Sequence, residues 1–404
     1  MAGTTNENVT DRPIRTGIFL APFHPIREDP TLAIQRDLEL IRFLDGLGYD
    51  EAWIGEHHSA GFEIIASPEV FIAAAAERSR RIMLGTGVVS LPYHHPLTVA
   101  NRIIQLDHQT RGRVMFGIGP GLLPSDAGML GIEVSTQRAR MNEALEVILR
   151  LFRGETVDHE SDWFTLRGAS CQLRPYTRPH PEIAVASTVT PNSAILAGTH
   201  GLGMLCVAAT TIGGYDVLGT NWQIAEDTAA GANRVMDRGR LRLVGPMHLA
   251  ETRERAMDNV RFGLAEWVGY FRTVNPASPP ELMADDPVAA MVESGMAVIG
   301  TPDDAVAQLD RLWQRTGGFG CFLQLAHNWA NWENTRTSYE LFARYVTPVF
   351  AAANRDRQLS LERYRSQNQE LIGKALAATM EAISKNAKEI EQAIANRGEG
   401  PGDQ

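Results

Sequence analysis

Only three cysteines occur in 404 residues, Cys171, Cys206 and Cys321, and no two stand at a paired spacing. A disulfide framework and a zinc site of the paired-cysteine kind are thereby excluded, so the three read as buried free thiols and no metal is expected. Long apolar runs are missing too. None approaches the roughly 20 residues needed to span a bilayer, and the polar start Met1 to Thr10 lacks a signal-peptide core, so a cytoplasmic protein away from the membrane is expected. There is no basic surplus: Lys and Arg number 38 against 48 Asp and Glu, a formal net charge of -10, which argues against a nucleic-acid partner. No G-x-G-x-x-G or Walker motif stands in a strand-to-helix context, so a dinucleotide or nucleoside triphosphate site is not expected. What remains, 44% hydrophobic and 21% charged residues, describes an ordinary globular chain.

The chain is organised around Glu51-Ala52-Trp53-Ile54-Gly55-Glu56-His57-His58, an apolar run that ends in three ionisable side chains. Trp53 and Ile54 suit a buried strand, and polar groups at the carboxyl end of a parallel strand usually line a site. A strand over Gly17 to Phe23 precedes it, with an amphipathic helix between, closed by Gly48. Further strands follow at Ile82 to Leu91, Arg113 to Gly119, Pro181 to Ala186, Met204 to Ala208, Leu241 to Met247 and Gly320 to Leu325. Helices alternate with them at Ser67 onward, Leu97 to Gln109, Thr136 to Phe152, after Ser193, Thr252 to Phe271 and Glu333 to Phe350. Around Trp163-Phe164 the polar insertion suits a hairpin outside the main sheet. Eight strand–helix units are what a closed (β/α)8 TIM barrel of the α/β class requires; a doubly wound open sheet normally needs fewer.

Two stretches depart from the alternation. Asn275 to Val298, rich in Pro, Asp, Ala and Met, reads as a mobile lid inserted before the last strand, weakly ordered and protease-sensitive between Pro276 and Asp286. After Ala351, Leu376, Met380, Ile383, Ala387, Ile390 and Ile394 recur at alternating four- and three-residue steps, a coiled-coil seam of under three heptads. The expected organisation is a barrel domain over 14–350 and a helical arm over 351–397.

In such a barrel the loops after the strands open on one face, which gathers His24, Glu56, His57, His58, Gly87, Val88, Gly119 to Gly121, Ser187 to Thr190 and His327 around one mouth. Ser187, Thr188, Val189 and Thr190 lie between a strand and a helix N-terminus. There they either bind a phosphate or form an ordinary N-cap. Gly87, Gly119 and Gly121 either admit a flat ring system against the backbone or serve turn geometry.

Trp53 to His58, the run Gly85-Thr86-Gly87-Val88-Val89-Ser90-Leu91-Pro92-Tyr93-His94-His95-Pro96, Leu106-Asp107, Gly112 to Gly117, Gly119 to Gly121, Asp126, Gly131 and Gly300-Thr301-Pro302-Asp303 stand in the order found in one family. Over about Gly17 to Phe350 the chain resembles the bacterial luciferase-like flavin monooxygenases, in particular their limonene monooxygenase-like branch. The resemblance implies reduced FMN, delivered by a separate flavin reductase, O2 and a small apolar organic substrate, with epoxidation, hydroxylation or Baeyer–Villiger insertion as the reaction and a homodimer as the assembly. It implies that the phosphate lies at Ser187 to Thr190, that Gly87-Val88 forms a non-proline cis peptide under the ring, and that His57 is catalytic; Glu56, next to it in sequence, is read as orienting or tuning it. His24, His58 and His327 are carried as substrate or lid residues. Gly119 and Pro120 replace a cysteine and an arginine of the light-emitting members, and Ser187 an acidic residue, so light emission is not carried over. A deazaflavin-dependent hydride-transfer enzyme and a non-catalytic flavin-binding subunit are the alternative readings.

Overall fold

A computed structural model describes residues 13–21, 23–274 and 279–398, with side chains described through 395. Twelve strands appear among them: β1 (Arg15–Leu20), β2 (Glu51–Ile54), β3 (Met83–Thr86), β4 (Val89–Ser90), β5 (Val114–Gly119), β6 (Val157–Glu160), β7 (Thr165–Ala169), β8 (Ile183–Ser187), β9 (Gly203–Cys206), β10 (Leu241–Leu249), β11 (Val298–Gly300) and β12 (Cys321–Leu325). Eight close a ring of parallel pairings, β1–β2–β3–β5–β8–β9–β10–β12 and back to β1. This is the (β/α)8 barrel expected from the alternation. The ring has no free edge, so its strands are buried on both faces and read as continuous apolar runs.

Alternation along each strand divides the core into two layers. Phe19, Trp53, Met115, Ala184, Leu205, Val244 and Leu323 pack together as one cluster, drawn from seven strands, and fill the barrel interior. Their neighbours Ile18, Leu20, Ile54, Phe116 and Leu243 point the other way, into a cluster shared with the helices. Those helices are α1 (Pro30–Leu47), α2 (Pro68–Arg78), α3 (Pro96–Thr110), α4 (Pro124–Met129), α5 (Gln137–Phe152), α6 (Asn192–His200), α7 (Ile212–Gly231), α8 (Arg253–Val260), α9 (Leu264–Val274), α10 (Pro280–Met283), α11 (Pro287–Ser294), α12 (Pro302–Thr316), α13 (Trp332–Leu341) and α14 (Thr347–Phe350). Several begin with Pro in the first turn, where the missing N–H costs nothing.

The amino ends of the strands carry a buried ion cluster. Arg242 of β10 donates to Glu51 through Nε (2.6 Å) and Nη2 (3.1 Å), and its Nη1 donates to Glu182 at 2.7 Å. Arg15 and the Trp53 indole also donate to Glu51, at 3.0 and 2.8 Å. Every oxygen of Glu51 is therefore engaged, which is what makes a charged group tolerable at 2% exposure.

The boundaries of several elements differ from the sequence reading. The first strand ends at Leu20 rather than Phe23, and the single helix expected over Thr252 to Phe271 is split into α8 and α9. Asn275 to Val298 is also corrected in its described part. Residues 275–278 lie outside the described residues, but 279–298 form α10, α11 and the start of β11, with Leu282, Met291 and Met296 buried in a cluster with Trp267, Tyr270 and Trp329. The anchors escaped notice because they sit on two short proline-started helices and a loop, with no common period. The barrel unit extends to Ala351, and from Ala352 onward the described residues form a second compact unit containing α15 (Arg355–Gly398). Leu376, Met380, Ile383, Ile390 and Ile394 of that helix are exposed. Among the described residues no helix is long and apolar enough to cross a membrane.

Candidate active site

A cavity of about 350 Å³ opens at the carboxyl ends of the barrel strands. Its floor and walls include Phe19 of β1, Glu56 and His57 after β2, Gly87 and Val88 after β3, Gly119 and Gly121 at β5, and Val244 to Pro246 of β10. The α9–α11 region supplies the far wall through Trp267, Phe271, Leu282 and Met296. The lining is mostly apolar with a few converging polar groups, as in sites for organic ligands.

The glycines have steric reasons to be glycine. A Cβ on Gly119 would stand 2.6 Å from Val88 Cγ2 and one on Gly87 3.0 Å from the Trp53 backbone. Gly121 has φ +91°, and a Cβ there would stand 2.2 Å from the Tyr93 hydroxyl. Gly87–Val88 is a cis peptide, as the resemblance implied.

His57 stands between two carboxyl groups. Its Nδ1 is hydrogen-bonded to Asp126 Oδ2 at 3.1 Å, and its Nε2 is 3.3 Å from Glu63 Oε2. Burial disfavours the imidazolium, but Glu63 and Asp126 outweigh it and raise the His57 pKa above its ordinary value. Asp126 also accepts from the His58 N–H at 3.1 Å; although burial opposes it, bonds from His57 and Ser59 hold its carboxyl below the usual range.

Glu56 makes no hydrogen bond to His57, which corrects the orienting role read from sequence, while its charge still favours the His57 cation, as the tuning role had it. Its Oε1 accepts from His58 Nε2 at 2.9 Å and His94 Nε2 at 2.6 Å, and its Oε2 accepts from the Ser90 N–H at 2.7 Å. Neighbours on an extended segment point apart, so adjacency in sequence separates Glu56 from His57. These bonds hold the Glu56 carboxyl below its usual range despite burial.

The other histidines fall outside this cavity. His24 is buried, with Nε2 2.7 Å from Asp37 and Nδ1 donating to the Phe62 carbonyl at 3.0 Å. His327 lines a different cleft, beside α1, where its Nε2 donates to the Met247 carbonyl at 2.8 Å and its ring stacks on Trp329. Burial takes its pKa down to about 3, so it is neutral. His58 is half-buried against Glu56 and Tyr93.

Of Ser187, Thr188, Val189 and Thr190, only Thr188 lines the cavity. Ser187 ends β8, buried beside the Cys206 thiol, and its Oγ has no hydrogen bond of normal geometry. The N-cap reading of this loop is not what forms: α6 is capped by Pro191. Residues the sequence reading missed complete this end of the cavity: Ser193 in the first turn of α6, Thr210, Thr211 and Arg138 of α5. Arg138 has no hydrogen bond or ion pair among the described residues. Its signal was weak, since one of several arginines on an amphipathic helix is ordinarily a solvated one.

The sequence pattern described as luciferase-like monooxygenase matches residues 14–320. A limonene 1,2-monooxygenase from Rhodococcus erythropolis is 48% identical over 334 residues, 83% of this chain and 86% of that protein. The monooxygenase RslO1 from Streptomyces bottropensis superposes with a TM-score of 0.74 at 27% identity, over 84% of this chain and all of that one. The oxygenating constituent of the 3,6-diketocamphane monooxygenase of Pseudomonas putida, a type II Baeyer–Villiger enzyme in complex with FMN, has the same fold, with a TM-score of 0.69 at 24% identity over 83% of this chain and 98% of that one. Barrel, cavity and pattern agree: the chain belongs to the luciferase-like monooxygenases, a family of oxidoreductases.

Proposed function

We propose that the chain is a two-component monooxygenase that takes reduced FMN from a separate reductase and uses it with O2 to oxygenate a small apolar molecule. The observation that carries this reading is the cavity itself, in which an apolar wall faces glycine-lined strand ends and a buried histidine–carboxylate group. The residues present fit FMN. Gly87, Val88, Gly119 and Gly121 line the cavity, where a flat ring can lie against them, and Thr188, Ser193, the first turn of α6 and the unpaired Arg138 can hold a phosphate. The FMN in the diketocamphane enzyme and the substrate named for the Rhodococcus relative support the same reading. When bound, reduced FMN supplies the two electrons that O2 activation requires.

The protein contributes the rest. His57, held by Asp126, carries a proton at the cavity wall; one oxygen atom enters the substrate and the other leaves as water, a step that consumes protons. Trp267, Phe271, Leu282 and Met296 exclude water from the substrate side. Limonene is the probe of choice because the wall offers apolar contact.

Anaerobic titration with reduced FMN tests the placement of the phosphate. Each hydrogen bond to the charged phosphate contributes about 1.5–3 kcal/mol. Removing both hydroxyls in Thr188→Val, Ser193→Ala should therefore weaken binding tenfold or more, as should Arg138→Met. Unchanged affinity in both variants would overturn it.

A further inference from the structure

We infer that Glu63, held from α9 by Tyr270, is the residue that positions the His57 ring on its cavity side. The inference deepens the proposed function and rests on its reading of His57 as the proton-carrying group.

Glu63 lies in the loop after β2, six residues beyond His57, with a side chain that lines the cavity. Its two oxygens are used unequally. Oε1 accepts from the Tyr270 hydroxyl at 2.8 Å, and Tyr270 belongs to α9, the helix that also brings Trp267 and Phe271 to the cavity wall. Oε2 is buried, makes no hydrogen bond, and faces His57 Nε2 at 3.3 Å. A buried carboxylate oxygen without a donor is costly unless a partner stands ready. Here the partner is present at the right distance and lacks only the angle.

The arrangement leaves His57 with one fixed and one adjustable nitrogen. Nδ1 is fixed by Asp126, which Ser59 and the His58 N–H hold in turn. Nε2 is attracted to Glu63 without being locked to it, so a small rotation directs it either to Glu63 or into the cavity. Tyr270 is buried among Phe23 and Phe62, at ring-centroid distances of 5.5 and 4.8 Å, so Glu63 cannot follow the histidine away from α9.

The groups that face this pair come from several elements. Asp126 of α4 and the neighbouring Glu56 favour the imidazolium, His58 opposes it, and His24 acts on Glu63. Burial raises the Glu63 carboxyl, while His57 and Tyr270 pull it back. The two form a coupled pair in which each charge favours the other.

The test is an NMR titration of the His57 ring nitrogens, read on the full chain without added cofactor. Glu63→Gln should lower the proton affinity of His57 by tenfold or more, and Tyr270→Phe should lower it by less, with the fold kept. Unchanged midpoints in both variants would overturn the assignment, and Tyr270→Phe decides alone if Glu63→Gln does not fold. The proposed function fails by a different result, full turnover in a folded His57→Ala protein, which leaves the titration unaffected.

Discussion

In the proposed function the chemistry turns on His57, which stands between two carboxyl groups. A free imidazole with a pKa near 6.5 is half neutral in the physiological range. Burial opposes the cation, but between Glu63 and Asp126 it is favoured and the His57 pKa is raised, which suits a group that handles a proton. His57→Ala should therefore reduce oxygenated product roughly 10²–10⁴-fold while reduced FMN still binds. Full turnover in that variant, measured by product formation with reduced FMN supplied, would return His57 to a packing role. The same raised pKa links pH to stability. The folded-state value lies above the unfolded one, so the contribution is complete below about pH 6.5 and is lost as pH rises through the folded value. The sequence showed that Glu56, His57 and His58 end a buried strand. It could not show their partners, because Asp126 and His94 are brought in from other strand–helix units and Glu63 is set by a loop with no motif of its own.

At the scale of elements, periodicity and punctuation made most strands and helices legible. Pro68, Pro96 and Pro302 each open a helix, and Gly48, Gly201 and Gly317 close helices in the left-handed region. Where apolar residues follow no single period, as in 279–298, burial was invisible until the chain was folded. The start of α12 gives a quantitative check. Asp304 accepts from the Thr301 N–H at 2.9 Å and pairs with Arg253 through two bonds, 2.6 and 3.0 Å, which take its pKa to about 2. Its stabilisation is present above the unfolded pKa near 3.8 and is lost as pH falls towards 2. Because Arg253 is largely exposed, solvent screens the pair, and the cap is the main contribution. Asp304→Ala should cost about 0.5–2 kcal/mol at pH 7 and much less at pH 2, measured by urea unfolding. An equal cost at both values would contradict this account of the cap.

The whole molecule separates stability from chemistry along the barrel axis. The amino ends of the strands hold Arg242, Glu51, Arg15 and Glu182 in one buried cluster, and the carboxyl ends hold the cavity. Arg242→Met strips Glu51 of its main partner and should cost about 3–5 kcal/mol of stability, with the affinity for reduced FMN unchanged in the fraction that remains folded. A loss of FMN affinity without a loss of stability would break that separation. The central claim is that the cavity at the carboxyl ends supports oxygenation by bound reduced FMN. Its most direct test is a single turnover of the protein with chemically reduced FMN and ¹⁸O2 in the presence of limonene, followed by mass spectrometry. The account predicts one ¹⁸O atom in the organic product, formed by the parent protein and strongly reduced in His57→Ala. Complete consumption of reduced FMN bound at this site, with no labelled product from limonene or from a panel of related apolar alkenes and ketones, would contradict it.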